Sequence, residues 1–456
     1  MVVSTGVFMS TLDSSIVNIA LPSIMETFGS PLRTTEWVVM SYLLTVTATL
    51  LFWGGLSDFW GRRRVYSFGM FVFAAGSLAC AGAQAISWLI AARFMQAVGA
   101  AMMMATGPAI LRDIFPRDQL GRTFGLIGVT VSIGLMSGPA LGGFLVQYYS
   151  WRSIFLVTVP VGALFSFLAI LVIPKGRSGW RLVGFDWYGA LCWALALVSG
   201  LWALVHISGE SWREFGFWLR LGACFLFTYL FIRVERVVSA PILPLSLFRE
   251  RFFSSAVVSA VLSFITLFTV NLLTPFYLER ILSLSTSRTG MVMMSVPLAT
   301  MVVAPVAGRL SDSIGYRYIT TAGILLNAVS LMLLALLTAE TRPLDVVWRL
   351  VLLGCGQAMF LSPNSASILG KVDKLFIGVS SGLLATARNL GMSLGVALAG
   401  IIFSLLFSLE TGGLDLRDFS PVHTSAFMVA LKGSFWAAAL IGGIGVWCSW
   451  ERGKET

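Results

Sequence analysis

The stretch 12–22, LDSSIVNIALP, places one carboxylate, Asp13, inside an apolar run near the start of the chain. A helix that begins near Val2 would carry Asp13 about 17 Å along its axis, at 1.5 Å per residue. That distance is about half of a hydrocarbon core of ~30 Å. A carboxylate at this depth is costly and usually marks an ion or proton path. Asp13 is therefore the first candidate for a functional residue.

Membrane-length apolar segments follow one another along the whole chain. Fourteen are predicted, at 2–25, 36–57, 65–84, 87–111, 121–147, 153–173, 187–207, 216–233, 252–278, 289–310, 317–338, 346–368, 377–407 and 425–449. The chain is 57% hydrophobic and 11% charged, whereas soluble domains carry about 25% charged residues. Of the 21 acidic residues, only Asp13 falls deep inside a segment. The sequence predicts an all-α polytopic membrane protein whose first apolar run is a retained helix and not a cleaved signal.

The distribution of basic residues predicts the orientation. If the N-terminus is cytoplasmic, 19 of the 31 Lys and Arg residues fall on the cytoplasmic side, 10 on the opposite side and 2 within spans. Cytoplasmic loops carry an excess of basic residues, so both termini are expected in the cytoplasm and the protein in the inner (cytoplasmic) membrane. The net charge of +10 then reflects topology, and no nucleic-acid partner is expected.

Two loops of the chain repeat one another. Residues 54–63, GGLSDFWGRR, and residues 308–317, GRLSDSIGYR, share six of ten positions. Two similar halves are a known plan of secondary transporters. The predicted division is a first six-helix bundle at 1–174, two extra helices and a linker at 175–250, and a second six-helix bundle with a short tail at 251–456.

Two further patterns lie in the fourth and fifth segments. Residues 93–101 read RFMQAVGAA. The fifth segment carries five glycines and one proline, which favours a kink. They are Gly125, Gly134, Gly138, Pro139, Gly142 and Gly143. Glycines four residues apart share one helix face and allow a neighbouring helix to approach closely, and a proline removes a backbone donor. A tightly packed, bent helix is expected. Such a helix can seal one side of a transport pathway or act as a hinge, and the alternative is ordinary packing of small residues between helices.

With these motifs in this order, the chain resembles the fourteen-span drug:proton antiporters of the major facilitator superfamily, the QacA-like and EmrB-like exporters. Departures from the family pattern are Phe59 in place of a basic residue, Ala97 in place of the first Gly of RxxQGxG, and Thr158 in place of Asn. The resemblance implies two six-helix bundles around a central cavity, plus two added helices. It also implies alternating access and the export of amphipathic organic compounds in exchange for protons.

Asp13 is expected to carry the exchanged proton, and the alternative is a structural carboxylate paired with Arg93 or with nearby Ser and Asn side chains. The candidates for lining the cavity are the polar groups within spans: Asp13, Asn18, Arg93, Gln96, Asn271, Gln357 and Arg388. Each amide can instead tie two helices together. Arg93 can tune the pKa of Asp13 or hold the packing of the helices. Arg388 can face the cavity or extend to the membrane surface.

The candidates for gating lie in or near the repeated loops: Asp58, Gly61, Arg62, Arg63, Arg112, Asp312 and Arg317. Asp58 can meet a helix N-terminus or Arg112, and such contacts can latch one conformation. The alternative is that the arginines only hold the loop inside.

Other classes of function find less support. No nucleotide-binding loop, metal-ligand cluster or catalytic constellation occurs in the sequence, so no cofactor, no metal, no nucleotide and no enzymatic activity are expected. The same fold moving a lipid, a siderophore or a metabolite is the nearest alternative. A membrane enzyme and a non-transporting sensor are more distant ones. The expected partners are protons, a small amphipathic substrate and the lipid bilayer, and the protein is expected to be a monomer.

Overall fold

A computed structural model describes residues 2–115, 120–174, 186–205, 214–238, 241–243, 245–371 and 377–452. Within these ranges the secondary structure consists of sixteen α-helices and short helical turns: α1 Val2–Phe28, α2 Leu32–Trp60, α3 Arg62–Ala81, α4 Ile86–Ile114, α5 Leu120–Tyr148, α6 Ser153–Leu156, α7 Thr158–Val172, α8 Trp187–Val205, α9 Phe215–Val237, α10 Arg251–Phe276, α11 Thr286–Met293, α12 Ser295–Ile314, α13 Tyr316–Leu334, α14 Pro343–Lys371, α15 Ile377–Thr411 and α16 Thr424–Trp450. The prediction of an all-helical polytopic chain is confirmed.

The helices account for the fourteen predicted crossings. Thirteen stretches among the described residues are long and apolar enough to cross a membrane. The remaining predicted crossing coincides with α5, which has 29 residues. The pairs α6–α7 and α11–α12 each form one crossing with a break in it.

Both broken crossings have the same local cause. Pro160 lies four residues after Leu156, the last residue of α6, and Pro297 lies four residues after Met293, the last residue of α11. A proline ring clashes with the carbonyl four residues earlier and supplies no N–H to bond it. The helix is therefore interrupted one turn before each proline.

The repeated loops have the same backbone conformation. Gly61 precedes α3 with φ +88°, and Gly315 precedes α13 with φ +102°. Glycine adopts positive φ without the steric cost that other residues incur. The matching sequence therefore encodes a matching turn in both halves of the chain.

The packing divides the chain into two compact units. Unit 1 contains Met1–Ser15, Trp37–Gly138 and Ser150–Leu245, and unit 2 contains Ile16–Glu36, Pro139–Tyr149 and Ser246–Thr456. Unit 2 thus holds the later half of α1, the first residues of α2 and the last residues of α5 together with α10–α16. The predicted division at residues 174 and 250 stays a prediction.

Each unit contains a pair of helices in very close contact. In unit 1, a Cβ at Gly76 of α3 would lie 2.6 Å from the Cα of Gln96 in α4. In unit 2, a Cβ at Gly323 of α13 would lie 2.7 Å from the carbonyl oxygen of Gly356 in α14. Small residues allow such approach, which is how membrane helices gain dispersion contacts. The contact in unit 1 fixes the position of α4, the helix that carries Arg93.

Candidate functional site

Asp13 is completely buried in unit 1, and α4 satisfies both of its carboxylate oxygens. Nη1 of Arg93 donates to Oδ2 at 2.5 Å, and Nε2 of Gln96 donates to Oδ1 at 2.8 Å. Arg93 and Gln96 are three residues apart, so their side chains share one face of the helix. Two of the polar residues predicted from the motif of segment four thus meet the carboxylate of α1.

Arg93 is itself held by α2. Its Nε donates to the carbonyl oxygen of Val38 at 2.9 Å, and its guanidinium lies 4.2 Å from the centre of the Tyr42 ring. The Tyr42 hydroxyl in turn donates to the carbonyl oxygen of Ser10 on α1 at 3.1 Å. Nη2 of Arg93 has no hydrogen-bond partner among the described residues. Arg93 therefore contacts α1 and α2 from α4 and forms an ion pair with Asp13. Its role in tuning Asp13 stays a prediction.

The network continues from α4 into α3 and α7. Nε2 of Gln96 donates to Oγ of Ser77 at 2.8 Å, and Oε1 of Gln96 accepts from Nη1 of Arg93 at 2.5 Å. Oγ1 of Thr158, the first residue of α7, lies 3.0 Å from Oγ of Ser77. We call Asp13, Tyr42, Ser77, Arg93, Gln96 and Thr158 the Asp13 cluster. It joins five helices of unit 1.

The ion pair within the Asp13 cluster is fully buried. Both Asp13 and Arg93 have side chains that are 0% exposed. Such pairs offset their desolvation cost only when hydrogen bonds satisfy the remaining polar atoms, and removing one partner is strongly destabilising. Binding of a proton to Asp13 would leave Arg93 without its ionic partner. The geometry thus links the charge of one side chain to the packing of several helices.

Gln357 forms a separate polar cluster in unit 2. Its Oε1 accepts from Oγ of Ser263 at 2.9 Å and from Nδ2 of Asn327 at 3.1 Å. The three residues belong to α14, α10 and α13. We call them the Gln357 cluster. These bonds favour the helix-tying alternative for Gln357.

The other cavity candidates differ in exposure. Asn18 is buried in α1, at 3% exposure. Asn271 on α10 and Arg388 on α15 are partly exposed. Their roles as lining residues stay predictions.

The arginines of the first repeated loop bind α4 and α7. Nη1 of Arg62 donates to Oδ2 of Asp113 at 2.6 Å and to the carbonyl oxygen of Ala109 at 3.1 Å. Nη1 of Arg63 donates to the carbonyl oxygen of Ile170 at 3.2 Å. The predicted partners Asp58 and Arg112 have side chains outside the described residues.

The second loop makes a related contact in unit 2. Arg317, which corresponds to Arg63 in the repeat, lies 4.2 Å from the centre of the Trp450 ring on α16. Helices α7 and α16 occupy the same place, the sixth crossing, in their respective halves. The side chain of Asp312 lies outside the described residues. Both loops thus anchor the third helix of a half to its sixth.

The glycine motif of α5 packs against two partners. In unit 1, a Cβ at Gly134 would overlap the Thr11 hydroxyl of α1. In unit 2, a Cβ at Gly142 would lie 2.8 Å from Cγ1 of Ile16, and a Cβ at Gly143 would lie 2.7 Å from the carbonyl oxygen of Thr286 on α11. The motif also includes Gly138, which is buried, Pro139, whose carbonyl oxygen contacts Gly290, and Gly125, whose surroundings lie outside the described residues.

Tyr42 and Ser77 belong to the site but were not singled out from the sequence. Tyr42 offered a weak signal, because a phenol in an apolar segment needs a partner for its hydroxyl. Ser77 offered none, since isolated serines in membrane helices commonly bond their own backbone. The carbonyl of Val38 cannot be anticipated from a side-chain pattern at all.

Three features are typical of a polytopic membrane transporter. They are thirteen candidate membrane crossings among the described residues together with the long helix α5, a repeated loop, and a buried ion pair between the first and fourth helices. The family model "Major Facilitator Superfamily" matches residues 3–396. The chain belongs to this superfamily.

Known relatives agree with this assignment. The chain is 37% identical to "Riboflavin transporter RibZ" of Clostridioides difficile over 446 residues, which cover 98% of this chain and 95% of the relative. It is 32% identical over 404 residues to "Multidrug resistance protein Stp" of Mycobacterium tuberculosis, covering 88% and 75%. These likenesses indicate a transporter and not an enzyme.

A solved structure shares the fold. It is a bacterial homologue of the human lysosomal transporter Spinster in an inward-facing, unoccupied conformation, with a TM-score of 0.71 and 15% identity. The match covers 99% of this chain and 95% of that one.

Proposed function

We propose that this protein is a proton-coupled antiporter of the fourteen-helix drug:proton type, which exports amphipathic organic compounds by alternating access. The observation that carries the proposal is the Asp13 cluster. A fully buried carboxylate, paired with a cation, joins five helices of one unit. Intramembrane ionisable groups of this kind are typical of proton relays in transporters.

The chemistry follows from the contacts. When Asp13 binds a proton, its ionic attraction for Nη1 of Arg93 is lost, while Arg93 keeps its bonds to Gln96 and to the carbonyl oxygen of Val38. The contact between α1 and α4 is thereby weakened. When the proton leaves, the ion pair forms again. A single titration thus selects between two packings of the first four helices.

The driving force is sufficient for export. One proton that moves through 100 mV yields about 2.3 kcal/mol. Since 1.4 kcal/mol corresponds to a factor of ten, one proton supports a gradient of somewhat under ~100-fold for a neutral solute. A monovalent cation exchanged one for one would be driven by the pH gradient alone.

The proposal includes the membrane location, the orientation and the oligomeric state of the protein. It lies in the cytoplasmic (inner) membrane with both termini in the cytoplasm, as the excess of basic residues on that side suggests. It works as a monomer with a low proton stoichiometry, and Asp13 carries the exchanged proton. Glu279, near the end of the ninth crossing, is the candidate for a second proton.

A second candidate cargo is a flavin or a similar planar heterocycle. It is favoured by the 37% identity to a riboflavin transporter across 98% of this chain. The Asp13 cluster can power either cargo, because the coupling step does not involve the identity of the solute. The choice is therefore one for direct measurement.

The test uses the purified full chain in liposomes with an imposed pH gradient. Movement of ethidium, movement of riboflavin and the internal pH are recorded for the native protein, for Asp13→Asn and for Glu340→Gln. Glu340 is exposed in a loop, so its variant is the matched control for the loss of a carboxylate.

The native protein and the control are expected to couple dye movement to proton movement, and Asp13→Asn is expected to lose that coupling. Dye export still driven by the pH gradient in Asp13→Asn would refute the role of Asp13. Coupled movement of riboflavin without movement of ethidium would replace the first cargo by the second.

A further inference from the structure

A second carboxylate, Glu36, is buried in unit 2. It lies one turn inside α2, which begins at Leu32, and it is 2% exposed. Its Oε1 has no hydrogen-bond partner among the described residues. In the sequence, Glu36 lies at the edge of a predicted apolar segment, and no functional role is predicted for it. The structure gives it a burial close to that of Asp13, without the cation and the amide that satisfy Asp13.

The carboxylate of Glu36 packs directly against the backbone of α15. A Cβ at Gly400 would overlap both carboxylate oxygens. From Val396 to Phe403, α15 carries no ionisable side chain. The space that Glu36 occupies thus exists only because Gly400 has no side chain.

Charged side chains of both signs lie near Glu36. They are Arg33 on α2 and Asp415 in the connection after α15. Oδ1 of Asp415 accepts hydrogen bonds from the backbone N–H of Leu32 at 3.3 Å and of Arg417 at 3.0 Å. Among the described residues of unit 2, ion pairs near this end include Arg280 with Glu26, at 2.8 Å, and Arg417 with Asp418, at 3.6 Å. None of these side chains donates a hydrogen bond to Oε1 of Glu36.

An ionised carboxylate with an unsatisfied buried oxygen is strongly disfavoured, whereas a protonated one can be buried at much lower cost. We propose that Glu36 is a second proton-binding site, which holds a proton while its carboxyl group packs against Gly400 of α15 and releases the proton when this contact opens. The site is distinct from the Asp13 cluster. It rests on the proposed function only in that the ion it binds is the driving ion.

The proposal has a definite sign. Because the packed arrangement binds one proton more than the separated one, acid favours packing and alkali favours separation. For a single linked proton, the ratio of packed to separated molecules changes by at most about tenfold per pH unit.

The contact can be followed by the distance between two spin labels. Thr27 and Leu414 are exposed and belong to unit 2, near the ends of α1 and α15. They are replaced by labelled cysteines after removal of the five native cysteines. Distance distributions are recorded in lipid nanodiscs from pH 5 to pH 9. The parent is expected to show a short-distance population that grows as the pH falls.

Three variants separate the explanations. Glu36→Gln, which mimics the protonated acid, is expected to keep the short distance at every pH and to lose most of the pH dependence. Gly400→Ala, which displaces the carboxylate, is expected to reduce the short-distance population throughout. Glu340→Gln is expected to behave as the parent.

An unchanged pH response in Glu36→Gln would overturn the proposal, as would a short-distance population unaffected by Gly400→Ala. The same labels in Asp13→Asn distinguish the two proposals. A pH response that survives in Asp13→Asn, together with loss of coupled transport, supports both sites. A response in Asp13→Asn that disappears while Glu36→Gln retains it assigns the response to Asp13 and removes Glu36.

Discussion

The Asp13 cluster and the Gln357 cluster occupy comparable places in the two halves of the chain. One joins the first, third and fourth helices of the first half through Asp13, Ser77 and Gln96. The other joins the first, third and fourth helices of the second half through Ser263, Asn327 and Gln357. A glutamine on the fourth helix is the centre of both. The first cluster contains a full ion pair, and the second consists of neutral groups alone.

The difference shows that buried neutral groups and a buried ion pair can serve different purposes. Neutral amide and hydroxyl groups can fix the register of three helices without changing state in the physiological pH range. An ion pair can do the same, but a proton can also abolish it. The duplicated fold thus keeps a structural connection in one half and adds a titratable group to it in the other.

The largest expected effect comes from removing the cation of the first cluster. Arg93→Met leaves Asp13 as an unpaired buried carboxylate, so the free energy of unfolding is expected to fall by about 3–5 kcal/mol. The double variant Asp13→Asn/Arg93→Met is expected to recover a large part of this loss, because no lone charge remains. Denaturant titration in mixed micelles measures both. Equal stability of Arg93→Met and the double variant would show that the unpaired carboxylate is not the cause of the loss.

An intermediate effect is expected where helices meet backbone to backbone. Gly76→Ala and Gly323→Ala each place a methyl group within 3 Å of the facing helix, so each is expected to cost about 1–3 kcal/mol. Gly443→Ala is the control, because no atom lies within 4 Å of a Cβ there. Thermal unfolding of the three variants gives the comparison. Loss of stability in only one half would show that the two contacts are not equivalent.

The smallest expected effect belongs to the neutral cluster. Gln357→Leu removes two hydrogen bonds of the kind that contribute on average about 0.6 kcal/mol each in membrane proteins. The expected destabilisation is about 1 kcal/mol, with proton coupling unchanged in the liposome assay. A variant that is stable yet uncoupled would contradict the assignment of this cluster to structure and move it into the transport mechanism.

The sequence was sufficient for the architecture and for part of the site. Apolar length predicts the crossings because a bilayer has a fixed thickness, and the motif spacing places Arg93 and Gln96 on one helix face. The partners on other helices were less accessible. Val38 contributes only a carbonyl, and Ser77 resembles any other serine in a membrane helix.

Glu36 was overlooked for a different reason. Its position at the edge of an apolar segment suggested contact with water, but helix α2 begins four residues earlier and α15 covers the side chain. Burial of a residue near a helix end depends on which other helix approaches, and that information lies hundreds of residues away at Gly400.

The permanent charge of Arg93 limits what the Asp13 cluster can hold at one time. A guanidinium stays protonated at any physiological pH. The pair with Asp13 is therefore electroneutral when the carboxylate is ionised, and it carries one positive charge once a hydrogen ion has bound. In the proposed exchange mechanism, the second state would repel a cationic cargo and the first would tolerate it. Arg93, which never changes its own charge, would then keep the proton and the cationic cargo from binding at the same time.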